Sequence, residues 1–67
     1  MEENLREVFT AGKMYQIEII QQFLSENNIE SFVLNQKGSG FLLGDIRLFV
    51  DEKDEAKAKD IVAAHKI

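Results

Sequence analysis

The sequence predicts an α+β fold, a two-layer sandwich in the order β-α-β-β-α, and three stretches carry that prediction. From Met14 onward, Ile17, Ile19, Ile20, Phe23 and Leu24 recur at three- and four-residue spacing, while Glu18, Gln21, Gln22, Ser25 and Glu26 fill the opposite arc. One apolar stripe and one wet face define an amphipathic helix. From Asp45 to Val50, the residues Ile46, Leu48 and Val50 alternate with Asp45, Arg47 and Phe49, the period of a strand with one inward face. Beyond Asp51 a run of strong helix formers carries Ala58, Ile61 and Val62 on a narrow stripe, with His65 at its edge. Neither helix can bury its stripe alone, so both must lie on a sheet. A right-handed crossover from the first strand to the second, with the third strand in the gap, gives a split βαβ arrangement. The three-stranded antiparallel sheet then has the order 1-3-2, with both helices on one face.

Each element has a local reason. Leu5-Arg6-Glu7-Val8-Phe9-Thr10 is a short strand closed by Ala11-Gly12-Lys13. The first helix stops at Asn27-Asn28, where asparagine takes the left-handed conformation more readily than most residues. The β-branched and aromatic run Ile29-Glu30-Ser31-Phe32-Val33-Leu34 is the second strand. Asn35 to Gly40 is a cluster of turn formers with two glycines, hence a loop, and Phe41-Leu42-Leu43 follows between Gly40 and Gly44. Asp51 is a good N-cap for the second helix, and Glu52, Asp54 and Glu55 fall in its first turn, where the positive end of the helix dipole favours acids. Glu55 also stands four residues before Lys59 in the favourable order. No repeat, proline-rich linker or low-complexity stretch interrupts this plan, so residues 1–67 read as a single domain.

A chain of 67 residues buries only about 60% of the surface it exposes when unfolded. Its expected stability is modest, roughly 3–5 kcal/mol. With no cysteine and a single histidine, neither a disulfide nor a structural zinc can staple the fold, and self-association becomes an expected source of support. The apolar runs fall far short of a membrane span, and Met-Glu-Glu-Asn is not a basic and then apolar start. The expectation is no export signal, no membrane partner and a cytoplasmic location. Eight basic residues against twelve acidic ones give a net charge of −4 and a pI near 4.8, which disfavours non-specific nucleic-acid binding.

Candidate chemistry is sparse. Lys37 with Gly38-Ser39-Gly40 offers backbone N–H groups that suit a phosphate, but it lacks the Gly-Lys-Ser/Thr ending of a P-loop and runs into an apolar stretch instead of a helix start. A hairpin loop is the plainer reading. Gly12 and Lys13 put N–H donors and a positive charge at the start of the first helix, a generic anion site of the kind any helix start offers. His65 has no second imidazole or thiol to complete a metal site and no serine paired with it by a motif. The run Asp51 to Glu55 lacks the glycine and the distal glutamate of an EF-hand loop. Glu18 and Glu26 lie two turns apart on the wet face, with no apolar pocket to raise a pKa. No catalytic residue, metal ligand or cofactor is assigned, and the chain is read as a non-enzyme.

One feature resists a plain explanation. Apolar residues occupy both parities of the strands: Leu5 and Phe9 against Val8, Ile29 and Val33 against Phe32 and Leu34, and Ile46, Leu48 and Val50 against Phe49. Two helices cover only one face of a sheet, so several large side chains must lie on the other. Such a patch marks an interaction surface, expected to centre on Arg47 and Phe49, with Phe32 or Val33 beside them according to register and Phe41 and Leu42 near the rim. The competing reading tucks these side chains under the long loop or the N-terminal arm.

Four stretches resemble a known family: Val8-Phe9-Thr10-Ala11-Gly12, Phe23-Leu24 with Asn28-Ile29, Ile46 to Val50, and the spacing of Asp54, Ala58, Ile61 and Val62. The chain is similar over nearly its whole length to the putative prokaryotic signal-transducing protein family, small bacterial domains that resemble the ferredoxin-like PII signalling proteins. Asn28 stands where that family usually has glycine, and Lys13-Met14 replaces an Asn-Pro-like helix start. Neither departure disturbs the expected fold. The resemblance implies a ferredoxin-like, PII-like architecture and, by analogy, signal transduction. The expected function is a non-enzymatic interaction or regulatory module that forms a homodimer or docks a protein on the open sheet face. The alternative is a small-molecule sensor that takes an anionic metabolite or nucleotide at Gly38 to Gly40 or at Gly12 and Lys13.

Overall fold

The computed structural model describes residues 4–35 and 46–65. Strand β1 (Leu5–Ala11) leads to helix α1 (Met14–Glu26), strand β2 (Ser31–Asn35) and strand β3 (Ile46–Asp51). One 3-10 turn (Glu52–Asp54) then opens helix α2 (Glu55–Ala64). The sheet order is β1-β3-β2 with both pairings antiparallel, so the expected β-α-β-β-α α+β fold is the one found.

Central β3 organises the core. Its Ile46, Leu48 and Val50 are buried, and they join Ile17, Ile20 and Leu24 of α1 and Ala58 and Val62 of α2 in one apolar cluster. Both helices therefore pack on the same face of the sheet. Fully burying a side chain of this kind is worth about 1.5–3 kcal/mol, and the sum over the cluster offsets the conformational entropy lost on folding.

Register settles which side chains go where. In β2, Val33 lies opposite Leu48 and packs on the core, while Phe32 lies opposite Phe49 and Leu34 opposite Arg47 on the other face. In β1, Glu7 opposes Phe49 but Phe9 opposes Leu48, so Val8 is an extra residue at a bulge. Val8 and Phe9 consequently both pack against the core. Leu5 opposes Asp51 on the far face, although Leu5 and Phe9 share one parity in the sequence. Simple alternation fails here because a bulge resets it.

The stop after α1 is a complete Schellman motif. Asn28 holds φ at 63°, the left-handed region expected of it. Its N–H donates to the Ser25 carbonyl at 2.9 Å, and the Ile29 N–H donates to the Leu24 carbonyl at 2.9 Å. Buried Ile29 joins Leu24 in the core cluster, the apolar contact that accompanies this motif. Ile29 thus belongs to the helix stop, and β2 begins at Ser31 instead of Ile29.

Within α1 the expected five-residue stripe narrows to Ile17, Ile20 and Leu24. At about 100° per residue, Ile19 lies roughly 200° round the helix from Ile17, and it is 38% exposed. At the other end of the sheet, the Asp51 carboxylate accepts the Lys53 N–H at 3.0 Å and caps the 3-10 turn; α2 proper starts at Glu55. Arg6 ties β1 to that turn through Glu52 at 2.8 Å and to the start of α2 through Glu55 at 3.8 Å, and Lys59 meets Glu55 at 3.0 Å as the spacing predicts. These pairs are largely solvated, and such pairs contribute about 0–1 kcal/mol each. They orient the elements more than they stabilise them.

Candidate docking face of the sheet

The face of the sheet turned away from the helices carries Leu5, Glu7 and Thr10 of β1, Arg47 and Phe49 of β3, and Phe32 and Leu34 of β2. Phe32 and Phe49 are directly opposite in an antiparallel ladder, where facing side chains lie close enough to pack. Phe32 is 39% exposed and Leu34 45%, while Phe49 is half-buried among its neighbours. Arg47 reaches the Glu7 carboxylate at 3.5 Å across the ladder. Three of the residues expected at an interface, Phe32, Arg47 and Phe49, are thereby brought together. The register selects Phe32 over Val33 as their companion.

At one end of this face the chain forms a groove of about 230 Å³. Leu5 and Phe32 give it apolar walls, and Glu30, Asp51 and Asp54 set three carboxylates around it against the single ammonium of Lys53. The left-handed turn at Asn28 is what carries Glu30 to the Asp51 end of the sheet. Apolar walls beside three carboxylates suit an apolar side chain accompanied by a basic group.

Other expected positions are placed differently. Lys37, Gly38, Ser39, Gly40, Phe41 and Leu42 lie outside the described residues. Gly12 and Lys13 are exposed at the start of α1, Lys13 makes no side-chain cap, and a Cβ added at Gly12 would meet nothing within 4 Å. No cradle is built around them. His65 stacks on Phe23, with ring centroids 3.7 Å apart and an interplanar angle of 12°. Among the described residues, no group of three or more His, Asp or Glu is placed to hold a metal ion, and no buried side-chain N or O lacks a hydrogen-bond partner. Nor is any described helix long and apolar enough to cross a membrane.

The structure also shows a surface that sequence reasoning missed. Tyr15 and Ile19 are exposed on the outer side of α1 and line a shallow groove of about 340 Å³ with Phe23. Their i, i+4, i+8 spacing is a second apolar line beside the core stripe, and separating the two lines by helical angle would have found it. Leu34 was legible as soon as Phe32 was placed outward, since residues two apart share a face.

The chain matches no curated protein and no solved structure. A family model described as putative prokaryotic signal transducing protein matches residues 5–66, which include the three described strands and both described helices. On that match, the chain belongs to the putative prokaryotic signal-transducing protein family.

Proposed function

We propose that this chain is a non-enzymatic regulatory module in signal transduction that docks a partner protein on the open face of its sheet. The observation that carries this reading is the direct opposition of Phe32 and Phe49 on the face that neither helix covers. Core packing does not account for two aromatic rings there. Aromatic and arginine side chains are common interface anchors, and truncating one that is a hot spot costs about 2 kcal/mol or more. The acid-lined groove supports a partner segment that presents an apolar side chain next to a lysine or arginine. A net charge of −4 on this chain steers the same kind of partner toward it. The family's description supports the signalling part of the reading. Its non-enzymatic part rests on a sequence without a nucleophile, base and orienting group in any recognisable constellation.

The test is capture from the source cell with immobilised native chain and with Phe49→Asp, followed by titration of the purified partner against both. Circular dichroism first establishes that the variant keeps its helical signal. The expected result is a partner whose affinity falls roughly thirtyfold with Phe49→Asp and weakens as salt is raised. Equal affinity for both baits overturns the docking face. A thermal-shift screen of nucleotides and phosphometabolites checks the sensor reading, because a ligand of the native state raises Tm by mass action.

A further inference from the structure

We infer that the outer face of α1 docks a second copy of this chain, with the two α1 helices antiparallel across a two-fold axis at Ile19. This goes beyond the docking face of the sheet and uses none of its residues. Tyr15, Ile19 and Phe23 form an apolar line beside the core stripe; Tyr15 is 57% exposed and Ile19 38%, and a shallow groove runs along them. Glu18 and Gln22 border that groove with polar groups. Neither Tyr15 nor Ile19 belongs to the core cluster, so the fold itself does not account for the line. The charges at the two ends of α1 are equally unexplained by the fold. A helix favours acids at its start and bases at its end. In α1 the order is reversed: Lys13 is the N-cap residue with no acid in the first turn, and Glu26 is the last residue with no base in the last turn. Helix α2, by contrast, opens on Glu55 after Glu52 and Asp54. Lys13 is exposed and makes no ion pair among the described residues, and exposed Glu26 accepts a hydrogen bond from the Gln22 amide at 3.2 Å.

Charge complementarity selects the occupant. A second copy turned about an axis at Ile19 sets that residue on its counterpart, Tyr15 on Phe23 of the partner subunit, and Gly12 level with the partner's Glu26. The spacing is symmetric: Tyr15 and Phe23 lie one turn either side of Ile19, and Gly12 and Glu26 lie about 10 Å either side of it along the helix. The partner's Glu26 carboxylate thereby reaches the Lys13 ammonium and the first N–H groups of α1, which have no acceptor within the helix. Gly12 leaves room for it, since a Cβ there would meet nothing within 4 Å. Each helix start thus gains the acid it lacks, and each Glu26 gains a cation. A parallel pairing instead sets Glu26 beside the partner's Glu26 and Lys13 beside the partner's Lys13, and both contacts repel. A surface that complements itself in one orientation alone is what an isologous two-fold contact requires, and a foreign helix has no need of it. Three apolar side chains per copy fall short of the roughly 1,200 Å² buried by standard interfaces. Association is therefore weak and concentration-dependent.

The native chain has no cysteine, which makes a disulfide test clean. Ile19→Cys and Ser25→Cys both replace exposed side chains of α1, and circular dichroism checks that each variant folds. Packed helices lie about 8–10 Å apart with Cα atoms about 2.3 Å from each axis, so two facing residues at position 19 come within disulfide reach. Two residues at position 25 are about 18 Å apart along the helices and do not. Oxidation at high protein concentration should give several times more covalent dimer from Ile19→Cys than from Ser25→Cys; equal yields overturn the contact. Charge reversals in the Ile19→Cys chain then test the orientation. Lys13→Glu and Glu26→Lys should each lower the yield several-fold, and the two together, which keep the net charge at −4, should restore it. Yields unmoved by the single reversals, or not restored by the double one, overturn the antiparallel pairing. Each reversal puts the charge that the helix dipole favours at its end, so Tm should hold or rise and a lost dimer is not a lost fold. Adding Phe49→Asp should leave the yield unchanged; a loss would assign self-association to the sheet face and overturn the α1 contact. That control also separates failure here from failure of the docking face.

Discussion

Leu48 and Phe49 are neighbours in β3, comparably apolar, and point to opposite faces of the same sheet. Leu48 is buried among the side chains of both helices, whereas Phe49 is half-buried beside Phe32 on the face that neither described helix covers. Composition does not distinguish the two faces; connectivity does. Both helices lie on one side, so an apolar residue on that side stabilises the fold, and one on the other is available to something else. The family to which the chain belongs is described as putative prokaryotic signal transducing protein.

The sharpest way to break this comparison is to truncate both neighbours. Leu48→Ala should lose about 2–5 kcal/mol through a cavity in the core, a large part or all of the roughly 3–5 kcal/mol expected of a domain this size. Phe49→Ala should cost about 1 kcal/mol or less, the scale of a lost cross-strand contact. Urea denaturation of the two variants measures both. Equal losses would make Phe49 a core residue and remove the docking face.

A smaller effect sharpens the comparison at the helix stop, which delivers Ile29 to the covered face and Glu30 to the groove. Asn28→Gly should be neutral or slightly stabilising, because glycine holds φ = 63° without strain. Asn28→Val should cost about 1–2 kcal/mol, the penalty of forcing a β-branched residue into the left-handed region. Equal stability of native chain and both variants by thermal denaturation would refute the Schellman assignment.

Much of the covered face was legible because its signals are local. The alternation Ile46-Arg47-Leu48-Phe49-Val50, the cap at Asp51 and the stop at Asn28 each depend on a few adjacent residues. What stayed illegible depends on partners distant in sequence. The Val8 bulge exists only relative to β3, so the inward side of β1 could not be read from Leu5 to Thr10 alone. Ile29 resembles a strand residue until its N–H is seen to close the helix on Leu24. The groove brings Leu5, Glu30 and Phe32 to Asp51, Lys53 and Asp54 from separate parts of the chain. On the open face, Arg47, Phe49 and Phe32 were named from alternation, and the choice of Phe32 over Val33 required the β2–β3 register.

Within the open face the two cross-strand contacts can themselves be ranked. A double-mutant cycle on Phe32→Ala and Phe49→Ala should give a coupling of about 0.2–1 kcal/mol, the range for directly opposed aromatic pairs. The Arg47–Glu7 pair should couple more weakly still. At 3.5 Å, with both side chains 40% or more exposed, its attraction is offset by the entropy of holding two long side chains and is screened by ions. A cycle on Arg47→Gln and Glu7→Gln should therefore give no more than a few tenths of a kcal/mol at low salt, and nothing measurable at high salt. Partner affinity should respond differently. Arg47→Gln removes a side chain at the centre of the patch, whereas Glu7→Gln frees the guanidinium from its intramolecular carboxylate. Opposite signs in binding, with near-zero effects on stability, would place Arg47 in the contact. If both substitutions leave affinity unchanged, docking rests on the aromatic pair and Arg47 only frames it.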